Sequence, residues 1–198
     1  GKTIQTLALL QHNKEHNDDS TKEPENLDGS RHKDDAKKKT SLLIVPASLV
    51  YNWENEINKF TPELSVYSYR GNQRKKNTGY FKRYDIILSS YHTVRQDIDL
   101  LSGFSFHYIV LDESQVIKNP ASQVYKAISR LRSDHKLVLT GTPVENSLND
   151  LWTQLNFVNP GLLGSLSYFK REFSGPIEKD RAEDREITAG KVRRAGTC

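Results

Sequence analysis

A chain of 198 residues, 35% hydrophobic and 27% charged, suits one compact domain with a core and some solvated excess. Its formal net charge of +4 is compatible with a polyanionic partner without requiring one. The single cysteine, Cys198, excludes an internal disulfide framework and makes a reducing, intracellular setting the expectation; no apolar run approaches the roughly 20 residues of a membrane span, so no membrane partner is expected.

In chain order, Gly1-Lys2-Thr3 leads into a helical pattern over Thr3–Gln11, with Ile4, Leu7, Ala8 and Leu10 as its apolar positions. Residues 17–40 mix both charge signs with almost nothing apolar and read as a charged, flexible insertion. Five short segments follow that are rich in Val, Ile, Leu and Tyr: Ser41–Val45, Ser65–Tyr69, Asp85–Ser90, His107–Asp112 and Lys136–Thr140. Several are continuously apolar, the pattern of strands buried on both faces of a parallel sheet. Between them, Ser48–Phe60 sets Leu49, Trp53, Ile57 and Phe60 on one helical stripe, and Ala121–Arg132 does the same with Val124, Ala127, Ile128 and Leu131. Trp53 reads as a core residue. Strand–helix alternation predicts an α/β domain over 1–173, with helices on a mostly parallel sheet and a weakly anchored tail at 174–198. The chain starts at Gly1 and contains no Met, so it is expected to belong to a longer one.

Three segments carry chemistry. Gly-Lys-Thr opening a helix is the closing part of a phosphate-binding loop, because a helix start offers unpaired N–H groups and a positive dipole end. Lys2 would reach terminal phosphates and the Thr3 hydroxyl would bind Mg²⁺. The second is YIVLDESQVIKN, Tyr108–Asn119, where an apolar strand ends in two adjacent carboxylates. Ligands of open α/β sheets bind at such strand ends. There Asp112 would hold Mg²⁺, directly or through water, and Glu113 would act as general base towards the attacking water. The third is KLVLTGTPVENSLNDLW, Lys136–Trp152, a strand running into the turn Thr140-Gly141-Thr142-Pro143 and then a helix capped by Ser147 or Asn149. Hydroxyls on that turn would relay the state of the γ-phosphate, although a plain strand–turn–helix connection is an equal reading.

In this order, GKTIQT, LLIVPASLVYNWENEI, DIILSSYHTVRQD, YIVLDESQVIKNPAS and LVLTGTPVENSLNDLW resemble the SWI/SNF-type ATPases of the helicase-like superfamily, over about Gly1 to Phe173. The resemblance implies a three-layer RecA-like P-loop NTPase lobe of a DNA-stimulated ATPase. Such enzymes translocate on duplex DNA and remodel protein–DNA complexes, with ATP and Mg²⁺ as cofactors. It implies a nucleotide-contacting set of Gly1, Lys2, Thr3 and Gln115, with Lys2, Asp112 and Glu113 in the catalytic roles above. It places Pro46, Ala47 and Ser48, together with Ser89, Ser90 and Tyr91, on the DNA face, with Lys118 as a further phosphate contact. It also implies a second RecA-like lobe in the same parent chain whose arginines complete the ATP site. The isolated segment is then expected to be inactive and to bind double-stranded DNA weakly.

Two positions depart from the family pattern. Gln115 stands where a His is usual, keeping hydrogen bonding but losing titration, and Gln123 stands where a Lys is usual. Two other readings remain: a non-catalytic DNA- or protein-binding module on the same fold, and the motor lobe of a restriction or repair enzyme. Retention of Lys2, Asp112 and Glu113 weighs against the first; no nuclease acid cluster supports the second.

Overall fold

The computed structural model describes residues 1–19, 39–141 and 148–173. Most of the expected insertion, Thr142 with the rest of its turn, and the tail from 174 to 198 lie outside the described residues.

The elements run α1 (Lys2–Asp19), β1 (Ser41–Val45), α2 (Val50–Phe60), β2 (Val66–Tyr69), α3 (Thr78–Phe81), β3 (Ile86–Ser90) and α4 (Tyr91–Gln96). They continue with α5 (Ile98–Leu101), β4 (Ser105–Leu111), α6 (Gln123–Ile128), β5 (Arg132–Val138) and α7 (Leu148–Val158). All five expected strands form, in one sheet of order β2-β3-β1-β4-β5. Every pairing in it is parallel.

The continuous apolar runs divide by alternation, as a pleated strand requires. Leu42, Ile44, Ile87, Ile109 and Leu111 face one core, closed by Val94, Ile98, Leu101, Ile128 and Phe157 from α4 to α7. Leu43, Val45, Ile86, Leu88 and Val110 face the other, closed by Leu7 and Leu10 of α1 and by Val50, Trp53 and Ile57 of α2. Helices therefore cover both faces, giving the three layers of a RecA-like lobe.

Several boundaries and faces differ from expectation. The segment from Ser48 is not one helix: Ala47–Leu49 form a 3₁₀ turn before α2 begins. Phe60 is exposed and Val50 takes its place on the buried stripe, while Lys59 lies over the Phe60 ring. On α1, Leu7 and Leu10 are buried whereas Ile4 is exposed. α6 stops at Ile128, where the N–H groups of Arg130 and Leu131 turn back to the carbonyls of Ala127 and Ile128. That turn feeds β5, which starts at Arg132 rather than Lys136 and pairs with β4 from Ser105 onward. Pairing partners come from β4's backbone, so the polar start of β5 carries no apolar signal. Asn149 lies inside α7 rather than capping it, and its carbonyl accepts from Thr153.

Because the sheet is parallel, all strands end at one edge. There β1 runs into Pro46–Leu49, β3 into α4, β4 into Asp112 and β5 into Leu139–Gly141. No described helix is long and apolar enough to cross a membrane.

Candidate functional site

The ladder carries on one residue past β4, since Asp112 N–H donates to Ile44 O at 2.9 Å. Leu139 N–H donates to Leu111 O at 2.7 Å and Ser114 N–H to Leu139 O at 3.1 Å, so the ends of β4 and β5 are tied together. Asp112 is only 7% exposed, and each of its oxygens has a donor. Oδ2 accepts from the indole Nε1 of Trp53 at 2.8 Å, and Oδ1 from the backbone N–H of Glu113 at 2.9 Å. Its main-chain oxygen accepts from the Tyr91 hydroxyl at 2.8 Å. Trp53 belongs to the α1/α2 side of the sheet and Tyr91 to the opposite side, so the residue is gripped from both layers. Burial, and then the carboxylates of Asp112 and Glu113, push the Tyr91 phenol far above its ordinary range. It therefore stays a neutral donor.

Glu113 has φ 50° and ψ 54°, the only positive φ at a non-glycine residue among the described ones. A left-handed residue with a Cβ costs about 1–2 kcal/mol, and the surroundings hold it there. Ser114 is fully buried, and its hydroxyl donates to Gln154 Oε1 of α7 at 3.0 Å. The consequence is a sharp departure from the strand that sends the Glu113 side chain to the half-buried rim. Gln115 Nε2 donates to Glu113 Oε2 at 2.5 Å. The other amide atom, Gln115 Oε1, is buried without a partner among the described residues.

Lys2 is the first residue of α1, and Gly1 accepts the first helical bond, from Gln5 N–H at 3.4 Å. A Cβ built on Gly141 would lie 3.7 Å from Lys2 Nζ. The ammonium of the opening motif thus sits beside the turn that follows β5. β5 is the neighbour of β4, the strand that carries Asp112. The donor chemistry fits a magnesium nucleotide. Thr3 and Asp112 offer hard oxygens, while no group of three or more His, Cys, Asp or Glu gathers among the described residues. A divalent cation bound by two such oxygens would need water and phosphate oxygens to fill its shell, as Mg²⁺ does alongside nucleotides.

The remaining sequence candidates divide by depth. Ala47, Ser48 and Lys118 are exposed and Pro46 is half-buried. Ser89 is fully buried and donates to Tyr69 O at 2.8 Å. Ser90 is buried and caps α4 by accepting from Thr93 N–H at 3.2 Å. Tyr91 lies beneath Asp112. The hydroxyls of these last three are engaged within the fold. Thr140 is half-buried and Gly141 exposed. Sequence reasoning placed Trp53 in the core, where it is, and missed its bond to Asp112. A signal existed, because a buried indole N–H needs an acceptor and an apolar stripe offers none. Ser114 and Gln154 were missed outright, since neither type marks a site by pattern.

Known proteins are similar to this chain over nearly all of it. The model of the SNF2-related domain matches residues 1–193. The putative ATP-dependent helicase/translocase YwqA of Bacillus subtilis is 37% identical over 188 residues, covering 93% of this chain and 18% of that protein. The TATA-binding protein-associated factor MOT1 of Saccharomyces cerevisiae is 34% identical over 198 residues, covering 99% of this chain and 10% of that protein. Among solved structures, the Sulfolobus solfataricus SWI2/SNF2 ATPase core in complex with dsDNA matches with TM-score 0.73 and 39% identity, over 90% of this chain and 33% of that one. The chain thus spans less than a fifth of the length of both curated relatives.

Proposed function

The chain belongs to the SNF2-related family, and from that premise we propose that it forms the first ATPase lobe of a DNA-stimulated translocase or remodeller. Mg-ATP binds between this lobe and a second RecA-like lobe. The observation that carries the reading is that the Lys2 ammonium lies beside Gly141, just after β5, while the end of β5 is hydrogen-bonded to the end of β4, the strand that leads into Asp112 and Glu113.

Each residue then has a role its chemistry suits. Lys2 and the N–H groups at the start of α1 bind phosphate oxygens. Thr3 and Asp112 hold Mg²⁺, which when bound neutralises charge on the phosphate oxygens. Glu113 takes the proton of the attacking water, and Gln115 orients Glu113 through its 2.5 Å bond. Thr140, Gly141 and Thr142 sense the nucleotide and relay its state. The relative solved with dsDNA supports duplex DNA as the polymer partner. Pro46, Ala47, Ser48 and Lys118 are the surface groups on this chain suited to sequence-independent backbone contacts. Ser89, Ser90 and Tyr91 support that face from beneath.

The test is ATP hydrolysis by the parent protein that carries both RecA-like lobes, with and without duplex DNA, in the wild type and in Glu113→Gln. Stimulated turnover that collapses in the variant is the expected result. DNA binding without any turnover in the wild type would replace this reading with that of a non-catalytic module.

A further inference from the structure

We propose that Trp53 is a positioning residue: its indole N–H sets the orientation of the Asp112 carboxylate and thereby how tightly the site holds a divalent cation. The inference rests on the nucleotide-site reading above, in which Asp112 holds that cation.

Four observations carry it. The first is the contact itself, Nε1 to Oδ2 at 2.8 Å, between two side chains 3% and 7% exposed and 59 positions apart. The second is what the stripe on α2 needs. Val50 and Ile57 fill their share of the same core with purely apolar groups, so burial alone asks nothing polar of position 53. Trp fills that volume and still carries a donor, the indole N–H, at the edge of the ring that reaches Asp112.

The third is the way the carboxylate is shared out. Trp53 takes Oδ2, and the backbone N–H of Glu113 takes Oδ1. Each carboxylate oxygen has about two acceptor directions, so one on each stays open for a cation or its water. With two donors on opposite oxygens the plane of the carboxylate cannot rotate freely, whereas with one it can. The fourth is separability. The main chain of Asp112 is held independently, by Ile44 O through its N–H and by Tyr91 through its carbonyl. Loss of the indole donor therefore releases the side chain of Asp112 and leaves the residue where it is.

Partners that orient a metal-binding carboxylate typically change cation affinity by about 10–100-fold when removed. A tryptophan that merely finds a convenient acceptor would, on removal of its N–H, change stability and leave affinity alone. The two cases are therefore distinguishable by a binding measurement.

The probe is Mn²⁺ in place of Mg²⁺, titrated into the parent protein that carries both RecA-like lobes with a non-hydrolysable ATP analogue, free Mn²⁺ being read by electron paramagnetic resonance. Trp53→Phe removes the donor and some bulk. Replacement of Trp53 by its benzothienyl isostere, with sulfur in place of the N–H, removes the donor alone and keeps the experiment decisive where Trp53→Phe fails to fold. Asp112→Asn is the control for the site. The expected result is about 10–100-fold weaker Mn²⁺ binding in both Trp53 variants, with the thermal midpoint of the isostere close to wild type. Wild-type affinity in the isostere, with affinity lost in Asp112→Asn, overturns the role of Trp53 and leaves the nucleotide-site reading standing. Unchanged affinity in Asp112→Asn overturns both.

Discussion

The hydroxyl of Tyr91, the residue after β3, donates to the main-chain oxygen of Asp112 at 2.8 Å, from the sheet face opposite Trp53. Tyr91→Phe leaves that buried carbonyl without its donor, and should lower stability by about 1–3 kcal/mol in urea denaturation. The pH dependence has a definite sign. Burial, and then the nearby carboxylates, raise the Tyr91 pKa above the unfolded value of 10.0, so the protonated phenol favours the folded state. Its contribution is fully present below pH 10 and is lost as pH climbs beyond it. The fall in stability between pH 10 and 11 should therefore be shallower in Tyr91→Phe than in the wild type. An equally steep fall would show that the phenol is not perturbed by its surroundings.

A second buried network pins the loop after β2. Asp97 accepts from Tyr69 at 2.7 Å and from Arg74 Nε at 2.5 Å, and pairs with Lys76 at 2.9 Å. Burial alone would raise the Asp97 carboxyl, but Arg74, Lys76 and Tyr69 together outweigh it and hold it well below the usual carboxylate range. A depressed carboxylate stabilises the fold above its unfolded value of 3.8 and loses that contribution as pH falls below it. Asp97→Asn removes the counter-charge of Arg74, which keeps its bonds to Gly71 O and Gln96 Oε1, and should cost about 1–3 kcal/mol at neutral pH. The variant should also show less acid sensitivity below pH 4 than the wild type. Guanidinium denaturation at pH 7 and pH 3 checks both.

Glu113 illustrates a conflict between stability and chemistry. Glycine at that position removes the left-handed penalty of about 1–2 kcal/mol, against about 0.5–1 kcal/mol of extra chain entropy. Glu113→Gly is therefore expected to be as stable as the wild type or up to about 1.5 kcal/mol more so, while hydrolysis is abolished. A clear loss of stability in the variant would mean that the turn is not strained.

Gln115 donates to Glu113, the residue proposed as general base, through an amide that has no proton to lose between pH 5 and 8. Gln115→His places a group with an ordinary pKa of about 6.5 at the same bond. The pH–rate profile of DNA-stimulated hydrolysis should then gain an inflection within about one unit of that value. Identical profiles for the two proteins would exclude a role for position 115 in orienting Glu113.

Much of the fold was legible because its signals are local. Leu42, Leu43, Ile44 and Val45 are apolar without interruption because both faces of β1 are covered, and that requirement is written in consecutive residues. The start of β5 was hidden, since Arg132, Ser133 and Asp134 owe their strand geometry to pairing with β4 rather than to their own side chains. The limits of α6 were hidden as well. Its apolar spacing continues through Leu131, but the chain turns at Ile128 to reach the sheet.

The same division runs through the candidate site. Which groups are present can be read along the chain: an ammonium at a helix start, two carboxylates after an apolar strand, and hydroxyls after another. Each is recognisable from neighbours within a few positions. Which of them touch depends on how the strands and helices pack. The strand order β3-β1-β4 brings Tyr91 and Trp53 to Asp112 from opposite faces, and the pairing of β4 with β5 carries the Gly141 turn to the Asp112 side of the sheet, where it meets Lys2. Hydrophobic burial is non-directional and leaves a periodic trace along the chain. A hydrogen bond is directional, depends on where two distant backbones finally lie, and leaves no such trace.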